Sequence, residues 1–246
     1  MSTRIAVVTG AGGQGMGRSI ALTLARDGCD VVLNWRRSDD AARRTAAAIE
    51  AMGRRVILHQ ADVSEAAQAA GLIAAAEAAF GHVDVLVASA GAPWKPQDIA
   101  DITPEHLRAV LAAEVESVYA LLRAVLPGMR ARAYGRIVLI GGHMADDWRF
   151  GPPDAPLDYP LGKAARHWLV RTLAPRERPH GITLNAVAPG PTRRFTHNEA
   201  IAALEKPSAA GENTPQHIAE TVAWLCSDAA ARITGAVIPV PGARPV

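Results

Sequence analysis

The sequence predicts one α/β domain over residues 1–246, with a doubly wound, parallel seven-stranded sheet in the order 3-2-1-4-5-6-7. Three observations predict it. Short apolar runs alternate with helix-length, Ala/Leu-rich segments along the whole chain. The apolar runs are continuous rather than alternating with polar residues, as strands covered by helices on both faces must be. No linker, repeat or low-complexity stretch interrupts the alternation, so strand, helix and next strand follow as right-handed crossovers of one sheet.

The elements follow in order. The strands are RIAVVT (4–9), DVVLNW (30–35), RVILHQ (55–60), VDVLVAS (83–89), RIVLIG (136–141), ITLNAVA (182–188) and AVIPV (236–240). Helical spacing of apolar residues fills 15–27, 38–52, 64–80, 103–132, 158–176 and 214–227. Ser64 and the run Thr103-Pro104-Glu105 are read as helix starts, because a hydroxyl can cap free N–H groups and proline suits the first turn.

Composition narrows the function. The chain is 49% apolar and 20% charged, a globular balance that needs no disulfide or metal for stability. A net charge of +2 is too small to argue for nucleic acid. Cys29 and Cys226 lie in apolar segments and form no CxxC pair, so they read as buried thiols of a reducing compartment. The first strand begins at Arg4, leaving no room for a leader, and no apolar stretch approaches the roughly 20 residues of a membrane span. A soluble cytoplasmic protein is expected. The eight histidines show no HExxH or clustered ligand spacing, so no metal is expected.

Between strand one and helix one runs TGAGGQGMGRSIALTLA (9–25). Glycines 10, 12, 13, 15 and 17 permit tight turning there and let backbone N–H groups approach a pyrophosphate at the positive end of the helix. Gly10, Gly13, Gln14, Gly15, Met16 and Gly17 are the candidate contacts, and the sheet is then Rossmann-type. Strand two ends in Asn34, where NAD-binding folds often carry an acid for the ribose hydroxyls, and Arg36 and Arg37 follow. A guanidinium there can pair with a 2′-phosphate, which selects NADP(H) over NAD(H).

The stretch DYPLGKAARHW (158–168) sets Tyr159 and Lys163 one helical turn apart. Such a pair is either surface decoration or a proton donor with its charge partner.

With these motifs in hand the chain resembles the short-chain dehydrogenase/reductase family, in its compact single-domain form, over nearly all residues. TGAGGQGMG resembles the glycine motif. Asp62-Val63 is similar to the adenine-contacting pair, and ASAG (88–91) stands where the family has Asn-Asn-Ala-Gly, bringing Ala90 and Gly91 to the cofactor. YPLGK is similar to Tyr-x-x-x-Lys. NAVAPGPT (185–192), with Pro189, Gly190 and Thr192, resembles the segment that meets the nicotinamide. The resemblance implies hydride exchange between nicotinamide and a carbonyl or alcohol carbon of a small molecule. Tyr159 would give or take the hydroxyl proton, while Lys163 would favour the phenolate and hold the ribose. It also implies a homotetramer or dimer joined through 103–132 and 158–176, with no nucleic-acid or membrane partner.

Four departures from the family pattern stand out. The glycine spacing Gly10-x4-Gly15-x-Gly17 is one residue longer than usual. The substrate-orienting serine after strand five is replaced by Gly142, with His143 next to it as a candidate donor and Asp146 and Asp147 soon after. The helix-four asparagine is replaced by Glu114, with Ser117 at the small-residue position. Glu114 either pairs with Lys163 or carries protons itself. Finally, the loop from Gly142 to Tyr159 is longer than usual, and the short segment 190–214 carries Arg193, Arg194 and His197, which an anionic substrate group could meet. The leading expectation is an NADP(H)-dependent oxidoreductase. A non-redox lyase, dehydratase or aldolase-type enzyme and a catalytically silent subunit paired with an active homologue are the alternatives.

Overall fold

Seven strands assemble in the order β3-β2-β1-β4-β5-β6-β7, every pair parallel. The computed structural model describes residues 3–95, 97–143, 145, 157–205 and 213–242. The strands are β1 (Ile5–Val8), β2 (Asp30–Trp35), β3 (Val56–Gln60), β4 (Val85–Ala88), β5 (Gly135–Ile140), β6 (Ile182–Pro189) and β7 (Val237–Val240). Between them lie α1 (Met16–Arg26), α2 (Asp39–Ala51), α3 (Ala66–Phe80), α4 (Pro104–Leu111), α5 (Ser117–Ala131), α6 (Asp158–Glu177), α7 (His197–Ala202) and α8 (Pro215–Cys226).

The continuous apolar runs resolve into two alternating sets. Val8, Leu33, Val87 and Ile140 face one core, beneath α1, α2 and α8. Val7, Val32, Leu86 and Leu139 face the other, beneath α3, α5 and α6. β1, β2, β4, β5 and β6 therefore bury both faces, so they show no polar alternation, while the edge strands β3 and β7 are only partly buried. Cys29 and Cys226 are buried in the first core, and burial pushes both thiols up, that of Cys29 to about 11. Neither is a thiolate at neutral pH.

Two expected boundaries shift. Thr103 caps α4 by accepting from the His106 N–H. Ser64 does not cap α3, which starts at Ala66; its hydroxyl donates to Asp62 Oδ1 instead, at 2.6 Å. The expected single helix 103–132 is broken by a π-helical turn, Ala112–Glu116, with Glu114 at its centre. Such a turn adds one residue to a helix without ending its apolar stripe, so periodicity does not reveal it. No described helix is long and apolar enough to cross a membrane.

The strand order reverses between β1 and β4, which opens a crevice at their carboxyl ends. Thr9 closes the crevice floor: its hydroxyl accepts from the Ser89 and Ala90 N–H groups, each at 3.0 Å.

Candidate active site

The turn after β1 is shaped by its glycines. Gly10 has φ +67 and lies against Ala90, and a Cβ on Gly17 would stand 2.6 Å from the Gly10 carbonyl oxygen. A Cβ on Gly12 would meet the Trp35 Cβ at 2.4 Å, so the extra residue of the loop is packed against β2. Gly15 has nothing within 4 Å and Gly13 only the Gly15 nitrogen, at 3.9 Å. That open, side-chain-free concavity sits at the start of α1, whose first turn has no acidic residue and whose N-cap supplies no side-chain bond. The N–H groups and the helix dipole are left for an anion, and a pyrophosphate fits them.

The adjoining cleft has a volume of about 250 Å³ and is lined by Gly10, Asn34, Arg36, Asp62, Val63 and Ala90 among others. Asn34 is a structural tie. Its Oδ1 accepts from Gly10 N at 3.3 Å, and its Nδ2 donates to the carbonyls of His59 and Ala61, each at 3.1 Å. Arg36 spans the cleft mouth to Asp62, 3.0 Å away. Partial burial works against the Asp62 carboxylate, but hydrogen bonds from Ser64 and Arg36 outweigh it and hold that carboxyl below its usual range. Arg37 is exposed beside it. The cleft offers what an adenosine half requires: a polar floor, an apolar wall and a guanidinium at its rim.

At the far end of the crevice, α6 places Tyr159, Lys163 and Arg166 on one face. Lys163 is 4% exposed; its Nζ donates to the Ile140 carbonyl at 3.2 Å, lies 3.0 Å from Glu114 Oε2 and stands 5.2 Å from the Tyr159 ring centroid. Trp94 also meets the tyrosine ring, in an edge-on arrangement with centroids 5.2 Å apart. Asp158 fixes the helix start, accepting from Tyr159 N at 2.9 Å and holding His106 at 2.8 Å.

Electrostatics follow from this burial. Desolvation first, and then Glu114, push the Tyr159 phenol up to about 12, with Arg166 acting the other way. Desolvation and Arg166 push the Lys163 ammonium down to about 8, against the pull of Glu114. At neutral pH the pair is a protonated phenol beside a charged ammonium.

Most other expected residues gather here. Gly142 lies beside Lys163, since a Cβ on it would stand 3.1 Å from the lysine Cγ, and it offers no hydroxyl. The backbone N–H of half-buried His143 donates to the Pro189 carbonyl at 2.9 Å, joining the loop after β5 to the end of β6. Gly190 bonds to the Val240 carbonyl, and the Thr192 hydroxyl donates to the Gly190 carbonyl at 2.8 Å, which fixes the segment expected to meet the nicotinamide. Ser117 donates to the Ala113 carbonyl at 2.6 Å and so stays out of the site. Arg193 is engaged by Glu199 at 2.6 Å and stacks 4.9 Å over Phe195. It thus braces α7, while Arg194 is exposed. Burial and the neighbouring Arg18 and Arg44 lower the His197 imidazole below its ordinary value. Asp146, Asp147 and the rest of 148–156 lie outside the described residues.

Three participants were not expected from the sequence: Trp94, the His106–Asp158 pair and above all Arg166. The signal for Arg166 was available, because it follows Tyr159 by seven positions and Lys163 by three, on the same helical face.

Comparison with known proteins completes the picture. Residues 10–242 match the family model described as enoyl-(acyl carrier protein) reductase. An uncharacterized oxidoreductase of Methylorubrum extorquens is 36% identical, over 97% of this chain and 96% of its own. The acetoacetyl-CoA reductase of Allochromatium vinosum is 32% identical, over 97% of each. The crystal structure of an acetoin dehydrogenase from Salmonella typhimurium superimposes with a TM-score of 0.85 at 27% identity, covering 97% of this chain and 94% of that one. The glycine cradle, the reversal of strand order and the Tyr159–Lys163 pair thus sit in a chain that belongs to the short-chain dehydrogenase/reductase family of oxidoreductases.

Proposed function

We propose that the protein is an NADP(H)-dependent oxidoreductase that interconverts a carbonyl and an alcohol on a small molecule, with Tyr159 as its proton donor. The observation that carries this reading is the Tyr159–Lys163 pair at the crevice end, its phenol pushed up to about 12 and its ammonium charged below about 8. A phenol so protected keeps its proton until a stronger base forms beside it. A developing alkoxide is such a base, and the Lys163 ammonium then stabilises the phenolate left behind. A bound nicotinamide supplies or takes up the hydride at the same carbon. Relatives named as acetoacetyl-CoA reductase and acetoin dehydrogenase support a carbonyl/alcohol pair as substrate and product.

Gly142 removes the donor that would orient the substrate oxygen. One such preorganised donor is typically worth about 2.7–4 kcal/mol of barrier. His143, or a polar group of the substrate itself, is the candidate to replace it. Nicotinamide absorbance followed against a panel of small ketones and alcohols tests the whole reading. Turnover of a substrate without any change in that absorbance would establish the non-redox alternative.

Arg36 and Arg37 support NADP(H) over NAD(H). Arg36 already sits at the rim of the adenosine cleft, held by Asp62 across an exposed gap, and exchanging that weak surface pair for a 2′-phosphate costs little. Replacing both arginines by alanine is expected to weaken NADPH binding about 10- to 100-fold and leave NADH binding nearly unchanged, a loss of the size given by charge-assisted bonds. Fluorescence titration of each cofactor checks this, and equal affinities in the native protein refute it.

A homodimer or tetramer fits the exposed apolar side chains on two helices: Tyr119 on α5 (61% exposed) and Leu161 and Trp168 on α6 (53% and 63%). Large exposed rings on long helices suit an isologous contact. Light scattering at micromolar concentration is expected to give a multiple of 25.9 kDa, with the Tyr119→Glu/Trp168→Glu protein shifted towards the monomer mass. A monomer in the native protein contradicts the assembly.

A further inference from the structure

Behind Lys163 stand two charges with no exposed surface at all, Glu114 and Arg166. Burying an ion pair gains little or no stability over well-packed apolar side chains, so folding alone does not account for it. The surroundings are built around the carboxylate. The π-helical turn turns Glu114 inward, and Oε1 accepts from the Ala92 N–H at 2.7 Å. Oε2 lies 3.0 Å from Lys163 Nζ and 2.9 Å from Arg166 Nε, ionic contacts that lie off the ideal hydrogen-bond directions. Two glycines leave the room: a Cβ on Gly91 would stand 2.5 Å from Oε1, and one on Gly162 2.6 Å from the Glu114 Cβ.

Arg166 is held as firmly. Its Nε donates to the Glu114 carbonyl, one terminal nitrogen to the carbonyls of Ile140 and Ala88, and the other to those of Ala90 and Ala113. It therefore ties β4, β5 and the π-helical turn together at the site. The Ile140 carbonyl is shared, since Lys163 also donates to it.

We propose that Glu114 and Arg166 are a coupled pair of positioning residues that hold the Lys163 ammonium in place and, by opposing each other, set the pH range over which it stays charged. The inference rests on the reading of Tyr159 and Lys163 as the proton-transfer pair. The charged or titratable groups packed about Lys163 are Tyr159 and Arg166 from α6, Glu114 from the π-helical turn and, one turn further along α6, the buried His167, whose Nε2 accepts from the Gly142 N–H at 3.4 Å; β5 offers the Ile140 carbonyl. Glu114 raises and Arg166 lowers the proton affinity of Lys163, and the same opposition acts on Tyr159. Either partner alone would unbalance the site, and the two together leave Lys163 near a neutral neighbour.

The test titrates Lys163 directly. The chain has three lysines, Lys95, Lys163 and Lys206, so a protein labelled at lysine ¹³Cε gives a spectrum in which Lys163 is identified by its loss in Lys163→Met. In the cofactor-free protein Lys163 is expected to titrate near 8. Glu114→Gln should move that midpoint down by about one unit or more, Arg166→Met should move it up by about one, and the double variant should return it towards the native value. The alkaline limb of kcat/KM for carbonyl reduction should move in the same directions. Arg166→Lys keeps the charge but not the five carbonyl contacts, so it should lower Tm while leaving the midpoint close to native. If Arg166→Met does not fold, Glu114→Asp, which withdraws the carboxylate from Lys163, must still move the midpoint down. Midpoints that stay put in the Glu114 variants, or that move the same way for Glu114→Gln and Arg166→Met, overturn the proposal. Shifted midpoints in a protein that never oxidises a nicotinamide would leave the charge pair standing and remove the proposed reaction.

Discussion

Tyr159→Phe is expected to lower kcat for carbonyl reduction by about 10²–10⁴-fold, the usual worth of a positioned general acid. The phenyl ring keeps its edge-on contact with Trp94 and its place over Lys163, so the affinity for reduced cofactor should stay close to native. Lys163→Ala differs in kind. It removes the only ammonium beside the phenol among the described residues and one of the bonds to the Ile140 carbonyl, and it leaves Glu114 facing Arg166 alone. Both turnover and cofactor binding should fall. His143→Ala then separates two ways of holding the substrate oxygen. A large loss of kcat with cofactor binding intact shows that the imidazole stands in for the hydroxyl missing at Gly142; an unchanged kcat shows that the substrate brings its own partner. Full activity in Tyr159→Phe would remove the proton-donor role altogether. Stopped-flow reduction with NADPH, paired with fluorescence titration, measures each quantity separately.

Gly162→Val is expected to destabilise the fold by about 3 kcal/mol, at the upper end of what overpacking usually costs. The new Cβ would lie 2.6 Å from the Cβ and 2.7 Å from the Cγ of Glu114. A flexible surface side chain would step aside. Glu114 is pinned at its far end by the Ala92 N–H, Lys163 and Arg166, so α6 and the π-helical turn must separate instead. Because Lys163 is the next residue, turnover should fall more steeply than stability. Gly71→Ala is the control. That glycine is exposed within α3 and a Cβ there meets nothing, so the change should stabilise by about 0.5–1 kcal/mol through helix propensity. Urea unfolding of both variants decides. A Gly162→Val protein as stable as the native one would mean that Glu114 is free to move.

The strands, the glycine turn and the Tyr159–Lys163 spacing were legible because each is local. A run such as DVVLNW declares its burial on both faces by composition alone, and it forms β2 over the same residues. The glycines of 10–17 declare a turn that side chains would obstruct, and the interval of four between Tyr159 and Lys163 is a property of any helix. The parallel order of the sheet followed from connection rules that hold for strand–helix alternation generally. Glu114 was visible as a departure, but its choice between pairing with Lys163 and carrying protons was not a local matter. It depended on a π-helical turn that apolar periodicity does not register, and on Arg166 arriving from 52 positions away in the chain. The same holds for Trp94 against Tyr159 and His106 against Asp158, which meet only when α6 docks on α4 and the loop after β4. By itself the sequence determined the fold, the glycine turn after β1 and the helix that carries Tyr159 and Lys163. Which charges surround Tyr159 was decided by tertiary structure alone, because buried charges find their partners across elements, where sequence separation carries no information about distance.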